Sequence, residues 1–162
     1  MIAVSDTSPL NYLVLTDSIH VLPALFEHVV VPRSVALELS HENAPPPVRS
    51  WIESPPPWLQ VLTPAASDLA IPLGSGERDA ICLASELEAG LLLVDDRAAR
   101  RVAKSRGLNV AGTLGVLELA DARGLIDLPK AIHTLLRTSF RIRADVVRSV
   151  VERRSAAGRQ SE

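Results

Sequence analysis

A regular alternation of helical and strand patterns between residues 77 and 123 constrains the fold more than any other feature of the sequence. The pattern gives helix, strand, helix, strand and helix in turn, over residues 77–88, 91–94, 97–106, 109–111 and 113–123. The run Leu91–Val94 is wholly aliphatic, and Gly90, Gly107 and Gly124 are expected to end the helices that precede them. Strands that alternate with helices in this way form parallel sheets with crossover helices. We therefore predict an α/β fold with a mainly parallel central sheet.

The N-terminal half of the chain supplies further strands for this sheet. Ile2–Ser5 and His28–Val31 are short β-branched and aliphatic runs, and Trp58–Leu62 is a candidate edge strand. Six prolines among residues 44–58 predict a loop that has room for one short helix. The loop is not a domain boundary, so we expect the sheet to belong to one domain.

The composition fits one compact domain in the cytoplasm. The chain has 162 residues, of which 47% are hydrophobic and 3% aromatic, as expected when aliphatic strands pack between helices. Asp, Pro or Arg interrupts every apolar run before it reaches the roughly 18 residues of a membrane span, and the N-terminal segment lacks the basic region of a signal peptide. Cys82 is the single cysteine, which fits a reducing compartment. The net charge of −2 gives no overall attraction for nucleic acid, which would need a local basic patch or a metal.

Acidic residues stand where two of the predicted strands end. Asp6 comes directly after Ile2–Ser5, and Asp95 and Asp96 directly follow Leu91–Val94. Ligand sites of parallel α/β sheets lie at the carboxyl ends of the strands, so these acids should open on the same edge of the sheet. Two acids at the end of a buried strand favour a functional site.

Folding could bring Glu38 and Glu77 to the same place, although each acid also has a simpler structural interpretation. Glu38 lies in the helix after the second strand, and Glu77 opens the helix before Leu91. Glu77 would also suit the positive end of its helix, and Glu38 could be an exposed helical acid. Asp6 could cap the turn before the first helix, and one residue of the pair Asp95-Asp96 could cap the helix that follows.

Several carboxylates in one pocket repel one another, and a hard cation relieves that repulsion. Oxygen ligands select Mg²⁺ or Mn²⁺ over zinc. Zinc is further disfavoured because the four histidines are scattered, without the spacing of a zinc site. A metal held by carboxylates can activate water and stabilise a phosphodiester transition state, so the predicted reaction class is metal-assisted hydrolysis.

A basic stripe lies in the helix that follows the acidic pair. It consists of Arg97, Arg100, Arg101 and Lys104. Such runs are often solvated helix faces. Beside a phosphodiester site, they would instead hold the nucleic-acid backbone.

Three segments carry a family resemblance. They are VSDTSPLNYL, VPRSVALEL and LGSGERDAICLASELEAGLLLVDDRAARRVAKSRGLNVAGTLGVL. The sequence resembles a PIN domain, in the branch related to the VapC toxins of prokaryotic toxin–antitoxin pairs. The third segment is the most specific, because it matches over several consecutive elements. The resemblance covers about residues 1 to 140 and implies a three-layer α/β/α fold. It also implies a Mg²⁺- or Mn²⁺-dependent ribonuclease that forms a homodimer and is inhibited by a small antitoxin protein.

Carried over by position, the first two acids of the family fall on Asp6 and Glu38. Asp6 stands in SDTS, where Thr7 or Ser8 is a candidate supporting hydroxyl, and Glu38 stands in VALEL. The resemblance implies that both residues belong to the catalytic set.

The third acid falls on Glu77 in SGERDA rather than on Asp79, and the fourth falls on Asp95 or Asp96. Many PIN domains have Thr-x-Asp or Thr-x-Asn at this strand end, whereas this chain has Val-Asp-Asp-Arg. We favour Asp95, because it comes directly after the strand, and keep Asp96 as a candidate. Both of these aspartates and Glu77 are therefore candidate metal ligands with Asp6.

The complete prediction is a metal-dependent endoribonuclease, the toxin of a type II toxin–antitoxin pair. The residues predicted to bind RNA are Arg97, Arg100 and Arg101. The PIN-like nuclease domain is expected over residues 1–142, followed at 143–162 by a C-terminal helix, over residues 144–154, and a disordered polar tail, over residues 155–162. The alternative is a PIN-like binding or regulatory module without nuclease activity.

Overall fold

The computed structural model describes residues 1–160, and within them five strands form one parallel sheet. The strands are β1 Ile2–Ser5, β2 His28–Pro32, β3 Leu59–Leu62, β4 Leu91–Leu93 and β5 Val110–Ala111. Their order across the sheet is β3-β2-β1-β4-β5, and every neighbouring pair is parallel. The predicted α/β fold is confirmed, and β3 lies at one edge of the sheet.

Helices connect the strands and cover both faces of the sheet. They are α1 Thr7–Leu15, α2 Val21–Leu25, α3 Arg33–Leu39, α4 Pro46–Glu53, α5 Ser75–Glu86, α6 Arg97–Ser105, α7 Thr113–Ala122, α8 Leu128–Leu136 and α9 Ala144–Gln160. The short helix α4 occupies the proline-rich stretch. Its first residue is a proline, which suits a helix N-terminus because that position needs no backbone donor.

The alternation of side chains along the central strands divides the core into two halves. Ala3 and Leu93 pack on the side of α1, α7 and α8, whereas Val4 and Leu92 pack on the side of α5 and α6. All four side chains are buried, and burying a valine or leucine side chain contributes about 1.5–3 kcal/mol. The result is the predicted three-layer α/β/α arrangement.

The register of the central strands brings the predicted site residues to one edge. Ser5 of β1 lies opposite Leu93 of β4, and the N–H of Asp6 donates to the Leu93 carbonyl at 2.9 Å. The N–H of Val94 donates to the Ala111 carbonyl at 2.9 Å. Asp6 and the residues that follow β4 and β5 therefore meet at the carboxyl end of the sheet.

Some local features differ from the sequence-based prediction. Helix α2 was not predicted, because its five residues, with Pro23 inside, are too few to show a helical period. Gly90, which we expected to cap α5, instead packs against the side chain of Met1. The left-handed residue after α5 is Glu88, with φ 49°.

Helix α9 packs on the domain and is longer than predicted. Val150 is 1% exposed, and Arg153 and Arg154 form ion pairs with Glu118 and Asp121 of α7. Residues 155–160, predicted to be a disordered polar tail, are helical, in keeping with the good helix propensity of Ala, Arg and Gln. The rest of that predicted tail, residues 161–162, lies outside the described residues. In the part of the chain that the structure describes, no helix is long and apolar enough to cross a membrane.

Candidate functional site

Asp6 lies at the junction of β1 and α1, where the parallel sheet ends. Its side chain is 5% exposed, although aspartate is rarely buried so deeply unless it is paired. Asp6 occupies the N-cap position of α1, but within residues 1–160 its carboxylate makes no capping hydrogen bond to that helix. Helix capping therefore does not explain why this carboxylate is buried.

Burial raises the pKa of Asp6 to about 7, because it removes water from the charged carboxylate. The amide of Thr7 lowers this pKa in part, whereas the negative charges of Glu77, Glu38 and Asp95 raise it. Three further carboxylates thus act electrostatically on one buried aspartate. Crowding of this kind is typical of functional sites.

The carboxylate of Asp95 is fixed by three hydrogen bonds from two residues. The Ser8 hydroxyl donates to Oδ2 at 2.7 Å. The Thr113 hydroxyl also donates to Oδ2 at 2.7 Å, and the Thr113 N–H donates to Oδ1 at 2.6 Å. A Cβ added at Gly112 would lie 2.8 Å from Oδ1, so the missing side chain leaves room for this carboxylate. Asp95 consequently has a defined orientation at the sheet edge.

Asp96 has a different local role, which bears on the choice that the sequence left open. It is the N-cap residue of α6, and its Oδ2 accepts a hydrogen bond from the Ala99 N–H at 2.9 Å. Asp96 is exposed, whereas Asp95 is half-buried. The geometry therefore makes Asp96 a helix cap and leaves Asp95 as the oriented carboxylate.

Glu38 is held by Thr7, the residue that follows Asp6. The Thr7 hydroxyl donates a hydrogen bond to Glu38 Oε2. A Cβ added at Gly76 would lie 2.6 Å from Glu38 Oε1, so this glycine allows the carboxylate to lie against the start of α5. Asp6, Glu38 and Glu77 line a pocket of about 320 Å³ together with Thr7 and Gly76.

Glu77 lies in the first turn of α5 and faces the same acidic cluster. Burial raises its pKa first, and the charges of Asp96 and Glu38 raise it further, while a hydrogen bond with the Gly74 backbone lowers it. Asp79 is directed elsewhere: it accepts hydrogen bonds from Ser34 at 2.7 Å and Ser67 at 2.9 Å. Glu77 and not Asp79 is the acid of this helix that lines the site.

A larger cavity of about 1110 Å³ opens beside this acidic pocket. Four of the five predicted site acids line it, namely Asp6, Glu77, Asp95 and Asp96. The cations that line it are Arg97, Arg100, Arg101, Lys104, Arg141, Arg143 and Arg153. Glu38 does not line this cavity; it lines two smaller pockets, of about 530 and 320 Å³. The cavity thus joins carboxylates that suit a cation to a cationic surface that suits an anion.

Comparison with known proteins identifies the family of this fold and site. A family model described as a PIN domain matches residues 2–156. The chain belongs to the PIN domain family. PIN domains are generally metal-dependent nucleases that use divalent ions, and the VapC-related branch is compatible with this match.

The chain was also compared with curated proteins and with solved structures. No curated protein matches the chain. Among solved structures, it is similar to a PilT N-terminus domain protein from the hyperthermophilic archaeon Sulfolobus solfataricus P2. The two chains are 16% identical, the match covers 88% of this chain and 100% of the other, and the TM-score is 0.43.

The acidic residues of this PIN domain suit a hard divalent cation by their chemistry. A cation next to Asp6 would relieve the repulsion among the carboxylates, and oxygen ligands select Mg²⁺ or Mn²⁺. In residues 1–160, however, no three His, Cys, Asp or Glu side chains are placed so that they could hold a metal ion as they stand. Ser8 and Thr113 already fix the orientation of one of these carboxylates, that of Asp95.

Sequence reasoning missed two parts of this site. Thr113 was predicted only as the first residue of the helix over 113–123, although its hydroxyl and N–H both hold Asp95. The N-cap residue of this helix, α7, is Gly112. The connection between α8 and α9 was given no role, yet Phe140 and Arg141 line the cavity. The glycine before Thr113 and the arginines after residue 140 were the available signals.

Proposed function

We propose that this PIN domain is an endoribonuclease that hydrolyses RNA phosphodiester bonds with Mg²⁺ or Mn²⁺. The observation that carries the proposal is the burial of Asp6 among three other carboxylates, beside a cavity lined with arginines. Asp6 and Asp95 would be the central ligands of the ion, and Glu77, Glu38 and Asp96 would complete the acidic set. A bound divalent cation supplies an activated water and positive charge for the phosphodiester transition state.

The chain's own residues would orient the substrate and maintain the acidic set. Ser8 and Thr113 fix the Asp95 carboxylate, and Thr7 holds Glu38. Arg97, Arg100 and Arg101 of α6 line the cavity and would contact phosphates next to the scissile one. Positive charge at that place also offsets the repulsion between RNA and the carboxylates.

We further propose that the protein acts in the cytoplasm as the toxin of a type II toxin–antitoxin pair. The support is the sequence resemblance to the VapC branch, with which the family match is compatible. On this proposal the protein forms a homodimer and binds a small antitoxin protein. Ultracentrifugation of the purified chain tests the dimer. Growth arrest on expression of the wild type, and none with Asp6→Asn, tests the toxin role.

Cleavage and metal binding together test the nuclease proposal. Wild-type protein should bind Mn²⁺ in calorimetry and cut RNA in a reaction that EDTA stops. Asp6→Asn should abolish both. Asp17→Asn is a matched control, because Asp17 is exposed on a turn with φ 57°, a conformation that asparagine also tolerates. A wild-type protein that binds no divalent ion contradicts the proposal.

A binding or regulatory module is the second candidate function. It is favoured by the hydrogen bonds from Ser8 and Thr113 that already satisfy both oxygens of Asp95. The two functions differ in one result. A module would bind RNA in EDTA and leave broad RNA panels intact with Mn²⁺, whereas a nuclease would cut at least one of them.

A further inference from the structure

The cavity has a second wall, formed by the connection between α8 and α9 and by the start of α9. The residues of this wall that line the cavity include Ser139, Phe140, Arg141, Ile142 and Arg143. They face a cavity that Asp6 and Asp95 also line, together with the arginines of α6. A polymer that enters the cavity to reach the acids would therefore pass between α6 and this second wall.

The second wall is anchored to the domain. The Tyr12 hydroxyl and the Ser139 hydroxyl are hydrogen-bonded at 2.9 Å. The rings of Tyr12 and Phe140 meet edge to face, with centroids 4.8 Å apart and an interplanar angle of 78°. Phe140 and Ile142 also pack against the hydrophobic core on the α1 side of the sheet. A wall held in this way presents its side chains in fixed positions.

Arg141 is the cation of this wall whose charge is available for a ligand. Arg143 pairs with Asp145 at 2.9 Å, and Arg153 forms two hydrogen bonds with Glu118. Within the described residues, Arg141 has neither an ion pair nor a side-chain hydrogen bond. The same is true, over residues 1–160, of the four cations of α6 that line the cavity. Uncompensated cations on both walls, in a chain of net charge −2, match a polyanion between them.

Phe140 adds an aromatic ring to the cavity, which binding of phosphate alone does not require. It is half-buried and lines the cavity beside Arg141. Nucleic-acid grooves that bind single strands combine cations along the backbone with aromatic rings on which unpaired bases stack. In a duplex the bases are stacked on each other and their faces are covered. The combination of Phe140 with Arg141 therefore favours an unpaired strand.

We propose that the connection between α8 and α9 is a nucleotide-binding subsite, in which Phe140 stacks on an unpaired base of RNA and Arg141 contacts the adjacent phosphate. The proposal rests on the nuclease site described above and defines its substrate as single-stranded. The α6 arginines bind the strand on the opposite side of the acids.

Fluorescence anisotropy with a labelled single-stranded oligoadenylate ten-mer tests the subsite, in EDTA so that no cleavage occurs. Phe140→Leu retains apolar packing on Tyr12 but removes the aromatic face. It should weaken binding about tenfold, as expected for the loss of one stacked base. Binding of an abasic strand of equal length should change less than twofold, and Phe140→Trp should restore affinity for oligoadenylate. Wild-type protein should bind the single strand more tightly than a duplex of equal length.

The phosphate contact has its own readout. Arg141→Ala should weaken binding of both the oligoadenylate and the abasic strand, and should reduce the slope of log K against log salt by about 0.7. Arg148→Ala is the matched control, because Arg148 is an exposed arginine of α9 that does not line the cavity. Melting temperatures of all variants confirm that each is folded.

Any one of three results overturns the subsite. They are equal affinity of wild type and Phe140→Leu for oligoadenylate, equal effects of Arg141→Ala and Arg148→Ala, and a preference for the duplex. These outcomes are separate from failure of the nuclease proposal, which depends on Mn²⁺ binding and cleavage. Protein that binds through Phe140 but never cuts RNA supports the subsite and favours the binding-module function.

Discussion

Thr113 holds both oxygens of the Asp95 carboxylate, with its N–H on Oδ1 at 2.6 Å and its hydroxyl on Oδ2 at 2.7 Å. The two residues are 18 positions apart and follow the neighbouring strands β4 and β5. Thr113 is fully buried, so its hydroxyl cannot exchange this partner for bulk water. The contact therefore links the sheet register to the orientation of a predicted metal ligand.

Thr113→Val should weaken metal binding while the fold is retained. Valine has nearly the same shape, but it lacks the hydroxyl that orients Asp95. Losing such a partner of a metal ligand typically costs roughly 10–100-fold in metal affinity or activity. We expect a loss of about tenfold, because Ser8 and the Thr113 N–H remain. Calorimetry with Mn²⁺ and single-turnover cleavage measure the effect.

Thr113→Ser is the control for this prediction, because serine keeps the hydroxyl and removes only a methyl group. It should retain most of the metal affinity. Equal losses in the valine and serine variants would show that packing at residue 113, and not its hydrogen bond to Asp95, controls the site.

The raised pKa of Asp6 predicts that metal-free protein loses stability as the pH rises. The folded-state pKa is about 7, above the ordinary value of 3.8, so the folded state binds this proton more tightly. The resulting stabilisation is fully present below the ordinary pKa of 3.8 and is lost as the pH rises from there through about 7. Asp6→Asn removes the ionisation. In EDTA its melting temperature should be close to that of wild type at about pH 3.5. It should exceed the wild-type value increasingly as the pH rises towards 7, and at pH 8.5 by roughly 4 °C or more, at about 2–4 °C per kcal/mol.

Added Mg²⁺ should reverse this order at pH 8.5, because a cation that binds only the folded state stabilises wild type by RT ln(1 + [Mg²⁺]/Kd). Asp6→Asn should gain little. Asp17→Asn should follow wild type throughout, since its side chain is exposed. A lower melting temperature for Asp6→Asn at every pH would instead indicate a structural role for Asp6.

Part of this arrangement follows from sequence because it depends on strand ends. Asp6 and Asp95 directly follow aliphatic runs, and parallel strands place such residues on one edge of the sheet. The contact between Thr113 and Asp95 depends on how β4 and β5 align, shown by the hydrogen bond from Val94 N–H to the Ala111 carbonyl. Local periodicity contains no information about that register.

The second wall of the cavity was beyond sequence reasoning for a similar reason. Phe140 and Arg141 lie in a connection without regular structure, whose position depends on the packing of α9 on α7. That packing involves Val150 and two ion pairs between residues more than thirty positions apart. The sequence predicted α9 but not the surface that it would cover.

Gly76→Ala should lower activity without lowering stability. A Cβ at residue 76 would lie 2.6 Å from Glu38 Oε1, the end of a flexible and exposed side chain. Glu38 would turn away and lose the hydrogen bond from Thr7. Alanine is a better helix former than glycine by roughly 0.5–1 kcal/mol in a helix interior, so α5 should not be weakened. We expect the cleavage rate to fall about fivefold or more, which corresponds to an activation free energy higher by about 1 kcal/mol or more. The melting temperature should be unchanged or higher.

Gly158→Ala is the matched control for the helix-propensity effect. Gly158 lies in α9, and a Cβ there meets nothing within 4 Å among the described residues. This variant should keep wild-type cleavage. If Gly76→Ala also cuts RNA at the wild-type rate, the position of Glu38 has no importance for activity.

Asp95 and Asp96 can be distinguished by replacing each with asparagine. Asparagine is as good an N-cap as aspartate, so Asp96→Asn should keep the hydrogen bond from Ala99 N–H and most of the stability. Because Asp96 caps α6, this variant should also keep most of its cleavage activity. We expect a loss of less than about tenfold, from the missing negative charge near Glu77. Asp95→Asn should reduce cleavage by at least a hundredfold. Asp96→Ala should cost about 1 kcal/mol of stability through the lost cap.

The α6 arginines should control affinity for RNA through charge rather than through sequence. Arg97, Arg100 and Arg101 line the cavity beside Asp95 and Asp96. Replacing Arg100 and Arg101 by glutamine should weaken binding of all single-stranded RNAs alike and lower the salt slope by about 1.4, or 0.7 for each lost phosphate contact. The cleavage rate of the protein–RNA complex should fall much less than the affinity for RNA. The reason is that these arginines hold flanking phosphates and do not belong to the acidic set that would bind the metal. Titrations at several salt concentrations and single-turnover rates at saturating protein separate the two effects. A rate that collapses while the salt slope stays unchanged would assign the arginines to the reacting phosphate instead.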